Sequence, residues 1–94
     1  MISINEELLK QNLAQNLRYL RLSQSPRLSQ LMLARRTGSS PKSISNYEMA
    51  YYLPPVHILM ALSLYFGLTM EELLKSRVPE RKITDHRQII KKTA

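Results

Sequence analysis

The stretch LSQLMLARRTGSSPKSISNY, residues 28–47, predicts two short helices joined by a tight turn. Ser29 is placed to cap a first helix whose inner face carries Leu33 and Ala34. Gly38 falls where a sharp bend requires a positive φ, which glycine adopts without a Cβ clash. Because Ala34 and Gly38 are small, we expect the two helices to cross closely.

The second helix of this stretch begins at Ser40 and Pro41, a capping hydroxyl followed by proline at the first helical position. Ile44 and Tyr47, three residues apart, give this helix an apolar underside. Such a pair of helices is a helix-turn-helix, whose second helix has the shape to enter the major groove of DNA. The residues expected on its outward side are Lys42, Ser45 and Asn46.

The composition of the whole chain limits the classes of function that it can have. Its 94 residues make one domain, too small to include a second, effector-sensing module. Fourteen Lys and Arg against seven Asp and Glu give a net charge of +7, which favours a polyanionic partner such as nucleic acid. The chain has no cysteine, so it has no disulfide framework and no thiolate chemistry.

The sequence also predicts where the chain resides. No apolar run approaches the ~20 residues needed to cross a bilayer. The N-terminus, MISINEELLK, lacks the basic start and apolar stretch of a signal peptide. We therefore expect a cytoplasmic protein without a membrane partner.

The positive charge is concentrated toward the C-terminus. Residues 76–94 hold six basic and two acidic residues, a net +4, whereas residues 1–75 carry a net +3. We therefore expect a folded domain at residues 1–75, followed by a basic tail at residues 76–94. This tail is expected to be disordered, or weakly helical over residues 83–90.

Hydrophobic spacing is helical throughout, and no segment alternates at the period of a strand. The sequence therefore predicts an all-α fold, a compact five-helix bundle containing the helix-turn-helix. A capping box at Ser3–Glu6 is expected to open helix 1, which contains the near-repeat QNLAQNL at residues 11–17 as part of its helical periodicity. Gly67 ends helix 4, and a second capping box at residues 69–72 opens helix 5. The expected helices span about residues 3–22, 29–37, 41–49, 56–66 and 69–75.

A set of landmarks in register extends this pattern over residues 9–75. Arg18 and Arg21 precede the helix-turn-helix. The landmarks that follow are Leu28-Ser29-Gln30, Leu33-Ala34, Gly38, Ser40, residues 44–48 (ISNYE), Pro54, Tyr65-Phe66-Gly67-Leu68 and Leu73-Leu74. Together they resemble the lambda-repressor/Cro-like, or XRE-type, helix-turn-helix family. The resemblance implies a DNA-binding transcriptional regulator.

Residue roles follow from the resemblance, position by position. Gln30 matches the family glutamine that binds a phosphate, and Arg21 with Glu48 matches a pair that ties helix 1 to the end of helix 3. Lys42 is expected to donate to guanine and Asn46 to pair with adenine, while Pro41 touches a thymine methyl group. Ser39, Ser43 and the hydroxyl of Tyr51 or Tyr52 are candidates for phosphate contacts. The complete candidate set is Gln30, Ser39, Ser40, Pro41, Lys42, Ser43, Ser45, Asn46 and Tyr51.

The sequence departs from the family pattern at several positions. The loop at residues 23–27 is about two residues longer than usual, and Ala50 stands where the family commonly has glycine. Apolar residues also replace polar ones near the proposed DNA edge. These residues, which we expect to be exposed, are Leu31, Met32, Met49, Tyr51 and Tyr52.

Two classes of function remain open at this point. One is a sequence-specific regulator, a repressor that binds a near-palindromic operator as a homodimer with half-sites ~34 Å apart. The other is a protein-binding adaptor or antitoxin, with the tail or the apolar edge contacting a protein partner. Candidate dimer contacts are Met70, Leu73, Leu74, Ile83, Ile89 and Ile90.

Enzyme chemistry finds little support in the sequence. His57 and His86 have no second ligand at metal spacing, and the serines sit at caps and turns without a base to activate them. Only two glycines are present, so no glycine-rich phosphate loop exists. We therefore expect no catalysis, no metal and no cofactor.

Overall fold

The computed structural model describes residues 1–76 and residue 78. In this part of the chain there are helices and no strands. The helices are α1 (Glu6–Leu22), α2 (Gln30–Thr37), α3 (Pro41–Glu48), α4 (Val56–Phe66) and α5 (Met70–Lys75). The predicted all-α, five-helix fold is therefore confirmed. The helix proposed at residues 83–90 and nearly all of the tail at residues 76–94 lie outside the described residues.

The start of α1 differs from the sequence prediction. Asn5 is the N-cap, and its side chain accepts a hydrogen bond from the N–H of Leu8 at 3.2 Å. The prediction of a capping box from Ser3 to Glu6 is wrong, because the helix begins at Glu6 itself. Acidic Glu6 and Glu7 then occupy the first turn, where they interact favourably with the helix dipole.

The connection from α4 to α5 follows the prediction. Gly67 ends α4 with a left-handed φ of 71°. The Thr69 hydroxyl accepts from the N–H of Glu72 at 3.0 Å, and the Glu72 carboxylate accepts from the N–H of Thr69 at 2.9 Å. This reciprocal capping box satisfies two backbone donors and fixes where α5 begins.

The core draws buried residues from all five described helices. Helix α1 packs on α3 and α5, α2 packs on α3 and α4, and α4 packs on α5. Leu59 and Tyr65 pack against the edge of this core and are only half-buried. The described part of the chain contains no helix with the length and apolar character required to span a membrane. The buried apolar residues are Leu13, Ala14, Leu17, Leu20, Leu28, Leu33, Ala34, Ile44, Tyr47, Ile58, Leu62, Phe66, Leu73 and Val78.

Two buried asparagines of α1 hold the C-terminal end of α5. The fully buried amide of Asn16 donates to the carbonyl oxygens of Leu73 and Ser76, at 2.6 and 3.0 Å, and accepts from the N–H of Val78 at 2.6 Å. Asn12 donates to the carbonyl oxygen of Leu74 at 2.8 Å. The last carbonyl oxygens of a helix accept no hydrogen bond from within that helix. Asn12 and Asn16, in the near-repeat at residues 11–17, supply the missing donors for α5.

Candidate nucleic-acid interface

The turn between α2 and α3 has the geometry that its residues predict. Gly38 is left-handed, with φ 74°, and ends α2. The Ser40 hydroxyl accepts from the N–H of Ser43 at 3.1 Å, and Pro41 occupies the first turn of α3. These local signals set the angle at which α3 leaves the turn.

Helix α3 buries one side and presents the other to solvent. Ile44 is fully buried and Tyr47 nearly so, both in the core. At about 100° per residue, positions 42, 45, 46 and 49 fall on the opposite side of the helix. Lys42 lies at the centre of that side and is exposed, while Ser45 and Asn46 flank it and are half-buried. The predicted outward orientation of Lys42 and Asn46 thus agrees with the structure.

A nearly buried ion pair locks the end of α3 to α1. The Nε and Nη2 atoms of Arg21 donate to Glu48 at 2.7 and 2.9 Å, and the two side chains are 10% and 3% exposed. The Nη1 atom of Arg21 donates to the carbonyl oxygen of Leu28 at 3.1 Å, which also fixes the chain just before α2. The hydrogen bonds that Arg21 donates to the Glu48 carboxylate raise the pKa of Arg21, although burial acts in the opposite direction. The architectural role inferred for this pair from the family resemblance therefore has a direct structural basis.

Gln30 joins the same cluster from the start of α2. Its Nε2 atom donates to Glu48 Oε1 at 3.0 Å. The carboxylate of Glu48 consequently links α1, α2 and α3, a connection that the sequence alone did not reveal. An amide nitrogen carries two protons, and the bond to Glu48 uses one of them.

The other candidate residues occupy the two ends of α3. Ser39 is half-buried in the turn, whereas Ser40 and Pro41 are exposed. The Ser43 hydroxyl accepts from the Ser40 hydroxyl at 3.0 Å. Tyr51 is exposed in the loop after α3, and its N–H bonds to the Asn46 carbonyl oxygen at 3.0 Å.

The side chain of Ser45 bonds to the residue that follows α3. Its hydroxyl donates to the sulfur of Met49 at 3.9 Å. Met49 itself lies just past the end of α3, one residue beyond the observed helix, and is exposed. The predicted exposed apolar set is correct for four of its members and wrong for Met32, which is half-buried and packs against the core.

Ala50, which stands where the family commonly has glycine, has a backbone conformation that the sequence did not predict. Ala50 has φ 62°, in the left-handed region that favours glycine. Its N–H bonds to the carbonyl oxygen of Tyr47 at 3.1 Å, which completes the turn out of α3. The chain therefore keeps at this position the backbone conformation for which glycine is suited, although the residue has a Cβ atom.

This geometry defines a helix-turn-helix protein whose second helix is exposed on one side. The helix-turn-helix family model matches residues 17–73, and the chain belongs to that family, in its lambda-repressor/Cro-like, XRE-type form. It is therefore a DNA-binding regulator of the helix-turn-helix class.

Two solved structures are similar to the chain. One is a hypothetical transcription factor, NHTF, from Neisseria, with 24% identity, a TM-score of 0.63, and coverage of 81% of this chain and 85% of that chain. The other is the SOS-response transcriptional repressor LexA from Eubacterium rectale, with 18% identity, a TM-score of 0.67, and coverage of 90% of this chain and 85% of that chain. At these identities the similarity shows the fold. No curated protein sequence matches the chain.

Proposed function

We propose that this protein is a sequence-specific transcriptional repressor that binds a near-palindromic operator as a homodimer. The observation that carries the proposal is the outward side of α3. It presents Lys42 and Asn46, while Ile44 and Tyr47 hold the opposite side in the core. A helix in this position is supported by rigid contacts to the body of the domain and can lie in the major groove.

Base reading would come from the first turns of α3. Lys42, near the N-terminus of the helix, reaches guanine O6 and N7, and Pro41 contacts a thymine methyl group. Asn46 lies four residues further, about 6 Å along the helix axis. Since base pairs stack ~3.4 Å apart, Asn46 reads an adenine about two steps from the base that Lys42 reads.

Phosphate contacts would flank this helix and fix its register. The second amide proton of Gln30 and the N–H groups at the start of α2 would bind a phosphate of one strand. The hydroxyl groups of Ser39, Ser43 and Tyr51 contact the backbone near the two ends of α3. The net charge of +7 strengthens all of these contacts and makes binding sensitive to salt.

A single domain of this kind buries only about 600–1,000 Å² of protein surface on DNA. Two copies are therefore needed for useful specificity, with half-sites one helical turn, ~34 Å, apart. Repression follows when the dimer occupies promoter DNA and excludes other proteins from it.

Selection of bound fragments from a random DNA library tests this proposal. We expect enrichment of one motif with two inverted halves, centred about 10 base pairs apart. An enriched motif without a second half would contradict the homodimer, and no enrichment over unselected DNA would contradict sequence-specific binding.

The apolar loop after α3 favours a second candidate function, a protein-binding adaptor or antitoxin. Met49, Tyr51 and Tyr52 are all more than half exposed, beside the proposed DNA edge. Sizing of affinity-purified protein, with and without nuclease, separates the two functions. A mass that falls with nuclease supports DNA binding, whereas a stoichiometric protein that remains after nuclease supports the adaptor.

A further inference from the structure

Helix α4 exposes a continuous apolar ridge. Its sequence, VHILMALSLYF, contains no Asp, Glu, Lys or Arg. Val56, Met60 and Leu64, spaced four residues apart, are 68%, 48% and 75% exposed. Residues at this spacing form one row along a helix surface.

This ridge contributes little to the folding of the domain itself. The opposite side of α4, with Ile58, Leu62 and Phe66, already fills the core. A surface helix normally carries polar or charged residues on its outer side. A single exposed leucine needs no explanation, but a row of three apolar residues on a helix without charge is a contiguous patch of the kind that marks a protein contact.

We propose that α4 of a second copy of this chain packs on the ridge formed by Val56, Met60 and Leu64. The proposal rests on the homodimer in the proposed function and assigns its interface. Two copies that each carry +7 repel one another, so they approach best through a surface without charge. A row centred on Met60 is self-complementary about a two-fold axis, and rows of this spacing interdigitate when two helices cross at about −50°.

The ridge does not include the side of α4 that packs on α2. Arg36, in the last turn of α2, donates to the Tyr65 hydroxyl at 2.9 Å, so the end of α4 lies beside the end of α2. Tyr65 is thus on the side of α4 that contacts α2, whereas Met60 and Leu64 are on the exposed side. The ridge is therefore separate from the contact between α4 and α2.

Helix α5, the alternative interface considered from the sequence, offers less surface. Leu73 is fully buried in the core of its own chain, and Met70 and Leu74 are half-buried. An interface of one helix ridge falls in the small class, below about 1,200 Å² in total. We therefore expect a dimer that dissociates at micromolar concentration in the absence of DNA.

A single introduced cysteine gives a direct test, because the natural chain has none. In the full chain, Met60→Cys places one thiol at the centre of the ridge, next to the two-fold axis. Mild oxidation should produce a disulfide-linked dimer that still binds the selected operator, since a disulfide forms only where two Cα atoms come within about 7 Å. The matched variant Leu8→Cys, which places the thiol at an exposed position on α1, should remain monomeric on a non-reducing gel. Equal cross-linking of both variants would overturn the assignment.

Sedimentation of the Leu64→Glu variant of the 94-residue chain provides the second test. We expect its dimer dissociation constant to rise by about tenfold or more. The control Leu8→Glu, which makes the same charge change at another exposed leucine, should move it by less than about twofold. An unchanged constant for Leu64→Glu would overturn the interface.

Binding to a duplex with one half-site distinguishes failure of the α4 interface from failure of the proposed function. If α4 is the interface, Leu64→Glu keeps wild-type affinity for a duplex with one half-site. It loses the increase in affinity that a second half-site gives the wild-type protein. If wild-type protein binds one and two half-sites equally and stays monomeric, the dimer proposal fails while sequence-specific binding stands. If wild-type protein distinguishes no DNA sequence, the proposed function fails, and the cross-linking result alone decides the interface.

Discussion

Replacing Glu48 by alanine is expected to destabilise the domain by about 3 kcal/mol or more. The substitution removes the acceptor of three hydrogen bonds, two from Arg21 and one from Gln30. It leaves a guanidinium that is only 10% exposed without its counter-charge. Loss of one partner from a buried ion pair costs about 3–5 kcal/mol, and the residual exposure of Arg21 places the value near the lower end.

The magnitude is large for a domain of this size. At about 0.1 kcal/mol per residue, a chain of 94 residues has a free energy of unfolding of roughly 9 kcal/mol, so Glu48→Ala removes about a third of the stability. The midpoint of thermal unfolding should fall by about 12 °C or more, since each kcal/mol shifts it by ~4–8 °C in a small domain.

Thermal and urea unfolding followed by circular dichroism measure this effect. Glu71→Ala is the matched control, because it removes a carboxylate that bonds Lys75 at a similar distance, 2.8 Å, with both side chains more than 70% exposed. Water screens that pair, so its loss should matter far less. The apolar pair Arg21→Met with Glu48→Leu should recover much of the stability. Equal effects of Glu48→Ala and Glu71→Ala would refute the reasoning.

Three further predictions concern stability and are measured by the same unfolding experiments. Ala50→Gly should stabilise the domain by about 0.5–1 kcal/mol, because φ 62° disfavours alanine more than the added chain entropy of glycine costs; a loss of stability would contradict this. Gly38→Ala should cost about 1 kcal/mol from φ 74° alone, as an added Cβ meets no atom within 4 Å; a neutral result would show that the turn relaxes. Asn16→Leu should cost about 2–4 kcal/mol by leaving buried partners at Leu73 and Val78 unbonded, and a cost under about 1 kcal/mol would show that the end of α5 does not need this side chain.

The helix-turn-helix was predictable because its signals act over very short distances. Ser40 bonds the N–H three residues later, and Gly38 supplies a φ that depends on no distant contact. The outward position of Lys42 follows from helical periodicity once Ile44 is known to be apolar. For these residues, local chemistry and tertiary packing favour the same conformation.

Other features depend on contacts far apart along the chain. Asn16 finds its partners 57 to 62 residues later, and no local pattern marks an asparagine inside a helix as a buried ligand of backbone carbonyls. The three-way contact at Glu48 likewise needs α1, α2 and α3 to be packed first. In α4 nearly every residue is apolar, so helical spacing predicts the buried side from Ile58, Leu62 and Phe66 but not how far each flanking apolar residue is exposed. The contacts of α4 with α2 and α5 determine that exposure, and they leave Met60 and Leu64 outside.

The central claim is that Lys42 and Asn46 read bases from the outward side of α3. Its most direct test is the affinity of Lys42→Ala and Asn46→Ala for operator duplexes that vary one base pair at a time. We expect each variant to lose about 1–3 kcal/mol at a single position and to become indifferent to the base there. The control Lys75→Ala, an equal charge change on α5, should leave all base preferences intact. Unaltered preferences in both α3 variants would contradict the claim.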